Sequence, residues 1–378
     1  TGLRTPNGIG VGKDNEIFIA DNQGDWLPAS KIVHVQPGAF YGSRSVDFEG
    51  TAGLKETLPV VWLPQDEIGN SPSTPIGLDV GPYQGQMIHG EVTNGGIKRV
   101  YVEKVNGAYQ GALFRFTQGL EAGVNRILWA PNGDLVVGGV GSSGNWGHIG
   151  KLSYGLQSLS FNGNSVFEML KVSVRSDGFE IEFTEPIKEG QNVNAEDFLI
   201  QQWRYEPTEV YGGPKLDLEN LEAKAFHLSQ DRKKIFVELP DIKENRVVYF
   251  RINRPFISDF DHSLWTTESW YTLNQIPKDQ PGFSTDYQVM HNALTEAEQS
   301  AGWKLLFNGK DLSGLRNYNS EDVGSKWDVE DGTLHLSATA VRADKIYPTG
   351  DNIVVTDRIY ENYEFYVEWK VASCGNSG

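Results

Sequence analysis

The chain has 378 residues, with 33 Lys or Arg against 50 Asp or Glu, a net charge of −17. That balance argues against binding a nucleic-acid backbone or an anionic lipid surface by charge. The one cysteine, Cys374, excludes an internal disulfide or a Cys-rich zinc site. No run nears the roughly 18 apolar residues of a membrane span, so none is expected. The 42 Gly and 17 Pro demand many turns, and the expected class is all-β, in two to four domains at about 100–200 residues each.

Residues 1–163 carry a repeat. Asn7 to Ala20 reads as strand, Asp-Asn turn, strand, and Asn125 to Gly138 reads the same way 118 residues later. A looser copy runs from Pro75 to Glu91. Spaced apolar hairpins of this kind predict β-propeller blades, here three, part of a ring of six-bladed type. Over 164–275, Phe179, Ile181 and Phe183 alternate with Glu180, Glu182 and Thr184, and Ile235, Val237 and Leu239 alternate with Phe236 and Glu238. With the apolar run Val247 to Ile252, this predicts a sandwich of immunoglobulin type without its cysteine pair.

Residues 276–300 read as a linker with a short helix, for which Thr295 and Glu298 form a capping box. Residues 301–378 return to strands: a hairpin from Trp327 to Leu336 around Asp331-Gly332, and a period-two run from Tyr363 to Val371. The chain opens at Thr1 and stops at Gly378 directly after that pattern, which reads as a piece of a longer protein.

Leu3-Arg4-Thr5-Pro6-Asn7-Gly8, Ala20 to Asp25, and Gly38-Ala39-Phe40-Tyr41-Gly42 together resemble the late blades of the soluble glucose/sorbosone dehydrogenase propellers. That resemblance continues in order to Gly138. It implies pyrroloquinoline quinone and calcium as cofactors, Arg4 as a catalytic cation beside the quinone, Asn22 and Arg126 as cofactor contacts, and Asp21, Gln23 and Gly24 as calcium ligands. Two cations of that family's set are replaced: its loop lysine falls near Thr93, and its Arg-x-Arg falls on Val124-Asn125-Arg126. The residues alone leave both readings open. Arg4 is a pocket cation or a surface arginine beside a turn, and Asp21 to Asp25 is a six-to-eight-oxygen calcium loop or a plain Asx turn.

Gly302-Trp303-Lys304-Leu305-Leu306-Phe307-Asn308-Gly309-Lys310-Asp311-Leu312, the Trp327 hairpin, Ile353-Val354-Val355-Thr356, and Tyr363 to Gly378 resemble the 3-keto-disaccharide hydrolase domain family. The implied fold is the first part of a concanavalin-like jelly roll. The implied site is carbohydrate-binding, with Glu368 as catalytic carboxylate and Glu368, Asn376 and Trp327 on the sugar face. The bland alternatives are a solvated strand glutamate and a turn asparagine.

Two functions follow. One is a carbohydrate-processing protein of the bacterial periplasm, cell surface or exterior. It pairs a sugar-dehydrogenase-like propeller with a domain acting on 3-keto-glycosides. The other is a non-catalytic subunit that binds other members of a surface complex.

Overall fold

The computed structural model describes residues 1–378 apart from 142–149, 192, 285–286, 288–291, 293, 295–300, 319, 325, 331, 337–352, 356–360, 368 and 370–378. It is nearly all β, and the chain divides into two compact units, Thr1–Gln288 and Val289–Gly378.

The first unit begins with three antiparallel meanders. β1 (Pro6–Val11), β2 (Ile17–Asp21), β3 (Ser30–His34) and β4 (Val61–Leu63) form one sheet in that order. A four-residue helix, α1 (Phe48–Thr51), sits between β3 and β4, capped by the Asp47 carboxylate on the Gly50 N–H. β5 (Pro72–Leu78), β6 (Gln86–Glu91), β7 (Ile97–Val105) and β8 (Ala108–Thr117) form the second meander. β9 (Gly123–Trp129), β10 (Leu135–Val140) and β11 (Tyr154–Leu159) form the third. The first strands of the three meanders gather at one place. The Asn7 amide on β1 donates to the Pro72 carbonyl on β5 (3.3 Å) and to Asn125 Oδ1 on β9 (3.2 Å). The two asparagines that open the 118-residue repeat thus meet in space, which is the radial arrangement of propeller-like blades.

The rest of the first unit is a sandwich. β12 (Met169–Arg175), β13 (Gly178–Phe183), β14 (Phe198–Arg204), β15 (Leu216–Asn220), β16 (Ala225–Leu228), β17 (Lys234–Glu238), β18 (Arg246–Ile252) and β19 (Glu268–Leu273) follow in sequence. One sheet has the order β12-β13-β17-β16, and β15-β14-β18-β19 lies opposite it. Phe179, Ile181, Phe183, Ile235, Val237, Val248, Phe250 and Tyr271 fill the space between, all at most 1% exposed. At about 1.5–3 kcal/mol per fully buried apolar side chain, this layer is a major source of the unit's stability.

The two sequence segments, 1–163 and 164–275, share a sheet. β19 pairs with β8 through Trp270–Leu113, Tyr271–Ala112 and Thr272–Gly111, giving an eight-stranded sheet β15-β14-β18-β19-β8-β7-β6-β5. Each segment thereby covers the other's open strand edge, which otherwise invites uncontrolled pairing. A buried cation ties the same seam. Arg99, on β7, is fully buried. It pairs with Glu168 (3.2 Å) and donates to Gln86 Oε1 (2.5 Å) and to the Met169 (2.6 Å) and Leu170 (2.8 Å) carbonyls.

The second unit holds β20 (Leu315–Asn317), β21 (Trp327–Glu330), β22 (Thr333–Leu336) and β23 (Ile353–Val355), paired β20-β23 and β21-β22. The expected hairpin over Trp327–Leu336 is there, in the register Trp327–Leu336 and Glu330–Thr333. The run from Tyr363 to Val371 is a correction. Its described residues, 363–367 and 369, belong to no strand, and Tyr363, Phe365, Tyr366, Val367 and Trp369 are 58–73% exposed. Alternation marks a strand only where a neighbour completes the ladder. The capping box at Thr295 and Glu298 lies outside the described residues.

Candidate functional site

The converging ends of the blades collect most of the sequence-predicted residues. Arg4 precedes β1. Its guanidinium faces Asp25 Oδ1 from Nε (3.3 Å), while Nη1 donates to the Gln23 carbonyl (3.0 Å) and Thr5 Oγ1 (3.1 Å). The group also lies 5.0 Å from the centre of the Tyr211 ring, on the β14–β15 loop. Ser45 donates to the other oxygen of Asp25, and this bond, with Arg4, holds the Asp25 carboxyl below the usual range.

Asp21 is fully buried at the end of β2. Its carboxylate accepts the backbone N–H groups of Arg4 (3.0 Å) and Thr5 (2.7 Å), and burial raises its pKa despite them. The Gln23 carbonyl is taken by Arg4, and the Gly24 carbonyl accepts the Gly212 N–H (2.9 Å). The donors expected for calcium are therefore each engaged by an N–H group. A guanidinium rather than a cation's cavity faces them: a Cβ built on Gly24 would lie 2.0 Å from Arg4 Nε. The arrangement does not fit calcium at Asp21, Gln23 and Gly24. Among the described residues no three His, Cys, Asp or Glu side chains are grouped to hold a metal ion.

Pyrroloquinoline quinone fares the same way. A buried tricarboxylate needs uncommitted cations. Arg4 is committed to Asp25 and Gln23. Arg126 is exposed and donates to the carbonyls of Asn7 (2.8 Å) and Asn125 (2.6 Å). The residues present do not fit the quinone.

What these loops do hold is a buried polar chain that the sequence reading passed over. The Asn22 amide donates to Ser71 Oγ (3.1 Å). The Ser71 N–H donates to Glu91 Oε1 (2.6 Å), which also accepts the N–H groups of Thr93 (3.2 Å) and Asn94 (3.4 Å). Glu91 is fully buried, and burial outweighs these donors to raise its pKa. Lys98, equally buried, gives its ammonium to the Gly95 carbonyl (2.8 Å). Burial pulls its pKa down to about 8, against the attraction of Glu91. Asn22 Oδ1, Thr93 Oγ1 and Asn94 Nδ2 are buried with no partner of their own. The buried cation of this loop is thus Lys98, with Thr93 beside the carboxylate. The only sequence signal was a charge, Glu91, ending an apolar strand run.

In the second unit Trp327 is half-buried on β21. Its neighbour Asp328 stands opposite His335 across the hairpin, with Oδ1 2.8 Å from His335 Nδ1, and Glu330 Oε2 lies 3.5 Å from the same nitrogen. The His335 ring is thus flanked by two exposed carboxylates. His335 looked isolated in the sequence. Counting outward from the Asp331-Gly332 turn pairs it with Asp328. Glu368 and Asn376 lie outside the described residues.

Comparison with known proteins places weight on this second unit. Residues 302–378 match the family model described as the 3-keto-alpha-glucoside-1,2-lyase-like domain. A Bacteroides thetaiotaomicron protein named 3-keto-disaccharide hydrolase is 35% identical over 77 residues, 20% of this chain and 26% of that protein. The chain thus spans about a quarter of the length of the curated relative it matches. A solved structure from Thermus thermophilus, assigned as an oxidoreductase (glucose dehydrogenase), covers 42% of this chain and 46% of its own at 18% identity, with a TM-score of 0.32. Residues 302–378 are thus similar to a carbohydrate-related domain of the 3-keto-disaccharide hydrolase kind.

Proposed function

We propose that this chain belongs to a carbohydrate-processing protein in which the domain that includes residues 302–378 cleaves 3-keto-glycosides. The match of residues 302–378, at 35% identity to a 3-keto-disaccharide hydrolase, carries the reading. The chemistry is consistent with it. A keto group at C3 makes the C2 hydrogen acidic, so a base can remove that proton while the C1–oxygen bond breaks. The electron pair leaves with the aglycone oxygen, and water then adds to the resulting C1–C2 double bond. We assign Glu368 as that base, with Asn376 and Trp327 on the sugar face. In keeping with this, we place the protein outside the cytoplasm.

For the first unit we propose a scaffold role. The commitment of Arg4, Arg126 and Lys98 to protein oxygens supports it. Incubating the protein with 3-keto-trehalose and following the sugar by chromatography tests the catalytic reading. Loss of the keto-disaccharide with release of glucose is expected, and Glu368→Gln should slow it by about 100-fold or more. Absence of both cleavage and binding of the keto-disaccharide would overturn it.

A further inference from the structure

The seam between β8 and β19 opens into a fork. The ladder joins only Gly111–Leu113 to Trp270–Thr272. Beyond it β8 continues along β7 to Thr117, while β19 starts at Glu268. Arg115 and Gln118 line one wall, and Trp265, Thr266, Thr267 and Glu268 line the other, around a cavity of about 250 Å³.

Trp265 is 52% exposed although it is firmly held. Its backbone N–H donates to the Phe167 carbonyl (2.8 Å), and its neighbours Leu264 and Thr266 are buried. Below it, Arg115 Nε lies 3.5 Å from Glu268 Oε2. Both side chains are fixed from behind. Arg115 Nη2 donates to the Glu67 carbonyl (2.7 Å), the guanidinium lies over the Trp270 ring, and Tyr249 donates to Glu268 Oε1 (2.6 Å). At 34% and 25% exposed they still present edges to the fork.

We propose that this fork binds a neutral sugar ring, stacked on Trp265 and hydrogen-bonded by Arg115 and Glu268. The apolar face of a pyranose suits a bare indole. Its hydroxyls both donate and accept, and they meet a donor-only guanidinium beside an acceptor carboxylate. These two charges cancel, so a neutral ligand fits better than an anion or a cation. The cavity lies just under the roughly 300–1,000 Å³ typical of ligand pockets, which suits one ring with any further sugar left in solvent. No residue of 302–378 takes part, so the site is independent of the activity proposed for that segment.

The test is fluorine NMR on protein labelled with 5-fluorotryptophan, its ten tryptophan signals assigned by single Trp→Phe variants. Titration with trehalose, maltose or cellobiose should move the Trp265 signal with a midpoint in the millimolar range. Glu268→Gln should raise that midpoint about tenfold, the loss expected of one charged hydrogen bond, with an unchanged melting temperature. Shifts confined to Trp303, Trp327 or Trp369 would place sugar binding in the C-terminal segment alone and overturn the proposal. A Trp265 signal unmoved by all three sugars would do the same and leave the turnover assay standing.

Discussion

The strongest structural demand in the chain is made by Arg99. Its side chain is fully buried beside Glu168, which is 1% exposed. It satisfies that carboxylate, the Gln86 amide oxygen and two backbone carbonyls at once. Its guanidinium carbon also lies 4.4 Å from the Phe114 ring centre and 5.0 Å from that of Tyr83. Arg99→Met keeps an unbranched apolar stem and removes every donor. Leaving one member of a buried ion pair alone costs about 3–5 kcal/mol, and each orphaned carbonyl adds about 1–3 kcal/mol where water cannot reach it. Partial relaxation makes about 4–6 kcal/mol the expected loss, a large part of the roughly 5–15 kcal/mol that holds a typical domain. Because Arg99 is on β7 and its partners Glu168, Met169 and Leu170 lie at the start of the sandwich, the loss falls on the seam between blades and sandwich. Urea unfolding followed by near-ultraviolet circular dichroism measures it. The double variant Arg99→Met/Glu168→Leu removes both charges and should recover about 2 kcal/mol or more of the single variant's loss. A loss below about 1 kcal/mol for Arg99→Met, or a double variant as unstable as the sum of its parts, would refute the reasoning.

Three further outcomes are expected. His89 is fully buried, and burial lowers its pKa from 6.5 to about 4. Its folded form resists the proton that the unfolded chain accepts, so its contribution is present above pH 6.5 and is lost as pH falls towards 4. That loss is about 3 kcal/mol, and it should vanish from the denaturation-against-pH curve of His89→Gln. Gly111 lies at the β8–β19 ladder, where an added Cβ would stand 1.9 Å from the Tyr101 carbonyl oxygen. Since backbone cannot swing aside, Gly111→Ala should cost about 3 kcal/mol in chemical denaturation. At Gly24 the obstacle is the Arg4 side chain, so Gly24→Ala should cost only about 1 kcal/mol. A crystal structure of that variant should show Arg4 displaced from Tyr211.

The parts of the fold that announce themselves locally were legible. Asn7 to Ala20 and Asn125 to Gly138 read as hairpins, and β1–β2 and β9–β10 are those hairpins. Phe179 to Phe183 and Val247 to Ile252 fall on β13 and β18. What could not be read was the ladder between β8 and β19. Its partners lie about 160 residues apart, and nothing in Ala112 or Tyr271 marks one edge strand as meant for another. The candidate site divides along the same line. Asp21, Gln23 and Gly24 are near neighbours in the chain, and the fold brings Arg4 against them. Whether their oxygens face a cation or N–H groups is decided by Thr5 and Gly212, and Gly212 arrives from the sandwich.

The same limit applies to the buried charges. Lys31, Lys98, Arg99 and Glu91 sit in runs whose alternation gives no hint of burial, yet each is fully buried. A charge leaves water only where enough partners converge from elsewhere. Lys31 finds Tyr41 and Glu56 within its own blade region, whereas Arg99 finds Glu168, Met169 and Leu170 across the seam. Buried charges in this chain therefore mark places where distant segments must dock in one register. A variant that removes Arg99, which stands opposite Phe114 beside the end of the β8–β19 ladder, should loosen that ladder, which hydrogen exchange at Leu113 and Tyr271 would register as faster opening while β2 and β3 stay protected.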